Sequence, residues 1–231
     1  MAKGFHQVPG VDFGETFNPV IKPTMACTIL SFDVLRGWVI RQFDVQNVFL
    51  HGHLFEDVYM SQPPGFSHPQ FPNHVCKLKK ALYGLKQSPR AWFSCLSSCL
   101  LFLGFRGMRS NSSLFIYYSA IVTIYFLIYV DDLIVIASQP SAIDDLLCHL
   151  KYDFTIKDLG NLNFFLAVEV LPNSKGLILS QKRYIIDTLK KTKMLEAKPI
   201  SSPMAQSTSL STFEGDPLDD VTLYRSTDGA L

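Results

Sequence analysis

The chain has 231 residues, 48% of them apolar and 18% charged, with a formal net charge of +1 at pH 7. That length and apolar content supply a core for one sizeable domain, or one domain and part of a second, and exclude global disorder. A charge so close to zero counts against a uniformly basic nucleic-acid-binding chain, although it says nothing of how the charges are arranged.

In chain order, the N-terminal "MAKGFHQVPG" has no apolar signal core, so secretion is not expected. The five cysteines, Cys27, Cys76, Cys95, Cys99 and Cys148, form no CxxC pair. Their odd number argues against a disulfide framework. The reading is a reduced, intracellular protein, cytoplasmic (particle-associated) or nuclear. Residues 23–36 predict a helix capped by Thr24, with Ala26, Ile29, Leu30 and Val34 on one side and Gly37 to end it. "WVIRQFDV" (38–45) predicts a strand. The following segment, to about Phe71, reads as a hairpin and turns around Pro63-Pro64-Gly65. Ser88-Pro89 predicts a helix start, Ser as cap and Pro at the first position. Trp92, Leu96, Cys99, Leu100 and Leu103 form its apolar face, with Cys95 and Cys99 as buried thiols, and Gly104 closes it.

Leu114 to Val130 carries no charge. A membrane-spanning helix needs ~20 such residues. This run is rich in Ile, Val, Tyr and Phe, which favour strands, and it ends at two carboxylates. It therefore predicts a buried hairpin, with strands at 113–118, 121–130 and 133–138, and no membrane partner. Ser141 is the expected cap of a helix over 141–152 whose inner face is Ile143, Leu146, Leu147 and Leu150. "LNFFLAVEV" (162–170) predicts a strand, 180–194 an amphipathic helix with a basic side, and the Ser-, Thr- and Pro-rich stretch after Pro199 a linker. The fold class is α+β. The central β-α-β-β-α-β order is a split βαβ unit, an antiparallel sheet with both helices on one face and the other face free for a ligand.

Asp131 and Asp132 sit inside the apolar "IYFLIYVDDLIVIAS". A lone carboxylate in such surroundings costs several kcal/mol unless it is paired, hydrogen-bonded or metal-bound. In the expected topology Asp44, at the end of the first strand, lies beside the hairpin turn that carries the pair. Three carboxylates so close would repel one another. Mg²⁺, with Mn²⁺ as a substitute, resolves that repulsion, and two ions ~4 Å apart support in-line displacement of pyrophosphate. The bland alternative is a solvated turn.

The blocks "QFDVQNVFLHG", "LKKALYGLKQSPRAW", "YVDD", "KDLGNLNFFLAVEV" and "LSQKRYIIDTL" follow one another in this order. Together they resemble the reverse transcriptase domain of copia-type retrotransposon polyproteins, from "AKGFHQ" to "SSPM". The resemblance implies an RNA-directed DNA polymerase that acts on an RNA or DNA template with primer and on deoxynucleoside triphosphates. The integrase and ribonuclease H segments of the polyprotein are further implied partners. It also implies a polymerase palm with partial fingers and the start of the thumb or connection. Residues 1–37 would be a fingers remnant and first palm helix, 38–198 the palm with a fingers insertion at about 50–87, and 199–231 a linker entering the connection segment.

By the same resemblance Asp44, Asp131 and Asp132 are the catalytic, metal-binding carboxylates. Val45, Gln46, Phe49, Tyr83, Gly84 and Lys86 bind the nucleotide, with Phe49 as the aromatic that excludes a ribose 2′-hydroxyl. Gln87, Pro89, Arg90, Tyr129, Phe165, Leu166 and Ala167 meet template or primer, the last three in a primer-grip hairpin. Core packing stands as the alternative for Phe49, and ordinary surface charge for Lys86 and Arg90; Lys157 could protonate pyrophosphate but reads better as a solvated lysine. The sequence departs from the family at Gln46 (usually Lys), Val48 (Ala), His53 (Asp) and Ala167 (Gly), and family members carry more fingers sequence before "AKGF". An inactive remnant of such an element, at most a binding or structural fragment, is the second reading.

Overall fold

The computed structural model describes residues 2–166, 168–173, 176–199 and 220–229, apart from the side chains of residues 32 and 33. Chain contacts divide it into two units, Met1–Leu162 and Asn163–Leu231.

In the first unit, α1 (Pro23–Arg36) is followed by β1 (Val39–Val45), a 3-10 turn (Val48–His51), and the short pair β2 (Tyr59–Ser61) and β3 (Val75–Lys77). Then come α2 (Ser88–Phe102), β4 (Arg106–Gly107), β5 (Leu114–Tyr118), β6 (Thr123–Tyr129), β7 (Asp132–Ala137), α3 (Pro140–Asp153) and β8 (Ile156–Asn161). Six strands form one sheet in the order β4-β5-β6-β7-β1-β8, and every pairing in it is antiparallel. The expected split βαβ unit is present as β1-α2-β6-β7-α3-β8. Its last strand is not 162–170, however, but Ile156–Asn161, which pairs with β1. The reason is its edge position: Ile156 is buried while Lys157, Asp158 and Leu159 are exposed, so the strand has little apolar signal of its own.

One face of the sheet carries the helices. Phe43, Val45, Phe126, Ile128, Leu133, Val135 and Ala137 form a single buried cluster with Trp92, Leu96 and Leu100 of α2 and with Ile143, Leu146, Leu147 and Leu150 of α3. Alternation sends Leu127, Ile134 and Ile136 to the opposite face, and these too are fully buried. The expectation of a face free for a ligand is therefore corrected at its centre, while Asp44, Tyr129 and Asp132 at one end, and Ile40, Ile116 and Tyr125 elsewhere on it, are partly open. Neither expected serine cap forms. Ser88 lies inside α2, fully buried, and its hydroxyl donates to the Leu82 carbonyl at 2.6 Å; Ser141 lies inside α3, which begins at Pro140. In each helix a proline in the first turn supplies the start signal, because its missing N–H costs nothing there. Thr24 likewise falls within the first turn of α1, where its carbonyl accepts from the Thr28 hydroxyl at 2.8 Å.

In the second unit, β9 (Phe164–Phe165), β10 (Val168–Asn173) and β11 (Gly176–Ser180) form a three-stranded antiparallel sheet. It is followed by α4 (Lys182–Lys191) and α5 (Val221–Asp228). The stretch expected to be linker thus includes a helix, capped by the Asp220 carboxylate, which accepts from the Leu223 amide at 2.9 Å. Residues 200–219 of that stretch lie outside the described residues. Among the described residues no helix is long and apolar enough to cross a membrane, and 114–130 is the expected hairpin, β5 with β6.

Candidate active site

The register of β1 against β7 places Asp44 directly opposite Asp132. Directly opposed residues of an antiparallel pair project from the same face, so the two carboxylates are neighbours. On its other side Asp44 is in register with Lys157 of β8, giving a row of acid, acid and base across three strands. Tyr129 pairs with Asp132 to close the β6–β7 hairpin, which leaves Val130 and Asp131 as its two turn residues. Asp132 therefore opens β7 rather than sitting in the turn, and Asp131 is exposed at the tip.

Two bonds anchor that tip. The Val45 amide of β1 donates to the Asp131 carbonyl at 3.1 Å, and the indole Nε1 of Trp92 donates to the Val130 carbonyl at 2.7 Å. Val130 has φ +56°, a left-handed conformation rare for a β-branched residue.

Burial pushes the Asp132 carboxyl above its usual range; the Gln42 amide, donating to its Oδ1 at 3.4 Å, opposes that, and the charges of Asp131 and Asp44 add to it. Crowded acids of this kind are what a cation relieves. Among the described residues no group of three or more His, Cys, Asp or Glu is gathered closely enough to cage an ion alone. Mg²⁺ does not need such a cage, since it is commonly held by one or two carboxylates with substrate phosphates and water completing the octahedron. The donor set fits an ion completed by its substrate.

Beside the aspartates the chain turns through exposed Gln46 and Asn47 into the 3-10 turn. Val45 is buried in the core. Phe49 is half-buried against the same core cluster and meets the Tyr83 ring at 4.8 Å, tilted by 59°. Gly84 has φ +95°, and a Cβ on Gly4 would fall 1.9 Å from its carbonyl oxygen, so two backbones touch here.

The next residues meet the N-terminal segment, with Lys86 still exposed. The Gln7 carboxamide accepts from the Lys86 amide at 2.9 Å and donates to Gln87 Oε1 at 3.0 Å. Lys86 Nζ donates to the Gln7 carbonyl at 3.2 Å and lies 5.0 Å from the centre of the Phe13 ring. Buried Gln87 donates to the Asp12 carbonyl at 3.0 Å. Arg90 pairs with Glu15 and donates to the Phe17 carbonyl at 3.2 Å. The polar groups expected to meet nucleotide and template at Lys86, Gln87 and Arg90 are thus engaged within the chain, while Pro89 sits in the first turn of α2.

Phe165 and Leu166 belong to the second unit. Phe165 is buried on β9, and Leu166, at φ +52°, enters the turn to β10. Ala167 lies outside the described residues. Sequence reasoning missed Gln7, Gln42 and the indole N–H of Trp92. No periodicity links Gln7 to residues about 80 positions away, and Trp92 reads only as part of an apolar helix face.

An antiparallel sheet with helices on one face, and acids on adjacent strands at its open end, is the framework on which comparison with known proteins bears. A family model described as reverse transcriptase (RNA-dependent DNA polymerase) matches residues 1–206; the chain belongs to this family. Among its relatives are the retrovirus-related Pol polyproteins from transposons RE1 and RE2 of Arabidopsis thaliana, 48% and 46% identical over the whole chain. The corresponding polyprotein from transposon TNT 1-94 of Nicotiana tabacum is 38% identical over 89% of it. The expected kinship with copia-type polyproteins holds. The chain spans 16% of the length of each of these relatives.

Proposed function

We propose that the chain is the nucleotidyl-transfer domain of an RNA-directed DNA polymerase, with the sheet of the first unit as its palm. The observation that carries this reading is the register that sets Asp44 against Asp132, with Asp131 on the adjoining turn. Asp44 and Asp131 would be the principal ligands of two Mg²⁺ ions, and Asp132 would complete the acidic cluster. Bound there, the ions would lower the barrier to attack by a primer 3′-hydroxyl and neutralise the departing pyrophosphate.

The chain's own side chains set the geometry. Gln42 fixes Asp132 through its carboxamide. Phe49, propped by Tyr83, would lie beneath the incoming sugar, where bulk at a 2′-hydroxyl collides with the ring. Lys157 shares the row of Asp44 and would offer charge to the triphosphate. Primer contact would come from the Phe165–Leu166 turn. Substrates would be template-primer and deoxynucleoside triphosphates, and other polyprotein segments would be partners inside the cell.

The test is Mg²⁺-dependent extension of a DNA primer on an RNA template. Asp131→Asn and Asp44→Asn should each lower the rate by over a hundredfold, equivalent to about 3 kcal/mol of lost transition-state stabilisation. Extension indifferent to both substitutions would remove the aspartates from the chemistry.

A further inference from the structure

The hairpin tip that carries Asp131 is held from below by a residue outside the acidic cluster. The Trp92 indole is fully buried in the core and meets the Phe154 ring edge-on at 5.2 Å, so its N–H points from a fixed platform. An indole donates and cannot accept, and a buried one needs an acceptor. Here the acceptor is the carbonyl of Val130, at 2.7 Å. Independently, Val130 stands at φ +56°, a conformation that a β-branched residue keeps only when its surroundings over-determine it. That carbonyl belongs to the peptide plane joining Val130 to Asp131, so whatever holds it also orients the Asp131 Cα and the carboxylate it bears.

We propose that Trp92 is a positioning residue for the candidate active site: its indole N–H holds Val130 in the left-handed conformation and thereby fixes the Asp131 carboxylate beside Asp44. The inference rests on the proposed reading of the aspartates for its functional meaning, but its structural content can be tested without any metal. The Val45 amide, bonded to the Asp131 carbonyl, reports the turn directly. In Trp92→Phe the ring stays and the donor goes, and protection of the Val45 amide from hydrogen exchange should fall about tenfold. With Val130→Gly also present, glycine takes the positive φ unaided, and the same Trp92→Phe change should leave Val45 protection within about twofold. Mn²⁺ binding should follow the same pattern, about tenfold weaker in Trp92→Phe and largely restored in the double variant.

A merely structural tryptophan gives equal losses in both backgrounds, and that result overturns the proposal. Mn²⁺ binding that survives Asp131→Asn overturns the reading of the site instead, while the exchange pattern still decides the role of Trp92. Should Trp92→Phe fail to fold, the unaltered chain supplies the measurement. The Trp92 indole N–H and the Val45 amide should exchange through one common opening, and an indole exchanging over about a hundredfold faster than Val45 sinks the idea.

Discussion

A methyl group at position 52 has nowhere to go. A Cβ there would lie 2.8 Å from the Ala91 carbonyl carbon and 2.8 Å from the Trp92 nitrogen, both backbone atoms at the start of α2. Gly52 ends the 3-10 turn that carries Phe49, and its φ of −68° is open to any residue; close approach is what demands glycine here. Gly52→Ala should therefore cost about 1–3 kcal/mol in urea unfolding, whereas Gly14→Ala, with open space around it, should stay within about 0.5 kcal/mol. Equal effects would mean that the contact with α2 yields freely. At this scale the aspartates were legible because charge inside an apolar run has few explanations. The bonds from Gln7 to Lys86 and Gln87 were not, because a carboxamide leaves no pattern that announces a contact about 80 residues away.

Between elements, Arg41 ties β1 to both α3 and β8 through Asp144 and Asp158. Burial resists ionisation of Asp158, yet the Gly160 amide at 2.8 Å and the Arg41 guanidinium outweigh it and hold the carboxyl below its usual range. With a folded pKa below the unfolded value of about 3.9, Asp158 adds stability above that pH and loses it as the pH falls through the folded value. Both acids are partly solvated, so the contribution is below about 1 kcal/mol. Arg41→Gln should lower stability at pH 7 and converge on the parent near pH 2. A constant deficit at both pH values would assign the effect to packing of Arg41 on the Phe43 ring, 5.4 Å away. The split βαβ order was readable because α2 and α3 carry apolar periodicity and the β6–β7 hairpin is a near-continuous apolar run. Strand β8 was not, since an edge strand with exposed Lys157, Asp158 and Leu159 looks like a loop, whereas the more apolar 162–170 reads as a strand and contributes instead to the sheet of the second unit.

Across the whole molecule, a net charge of +1 hides uneven placement. Helix α4 carries Lys182, Arg183, Lys190 and Lys191 against the single acid Asp187, and none of its side chains is buried. If template-primer is the partner, attraction should concentrate there. Lys182→Gln with Arg183→Gln should weaken binding and flatten the plot of log affinity against log salt by up to about 2; an unchanged slope would place the phosphate contacts elsewhere. The sheet order has a consequence of another kind, in the making of the protein. β1 is an inner strand, and both of its neighbours, β7 and β8, are encoded after it, with Asp44 meeting Asp132. A ribosome adding 5–20 residues per second takes roughly 5 to 20 s to traverse that interval. For that time the segment that will hold Asp44 has left the exit tunnel with no strand on either side to receive its hydrogen bonds, so the acidic cluster cannot assemble until synthesis of the first unit is nearly done.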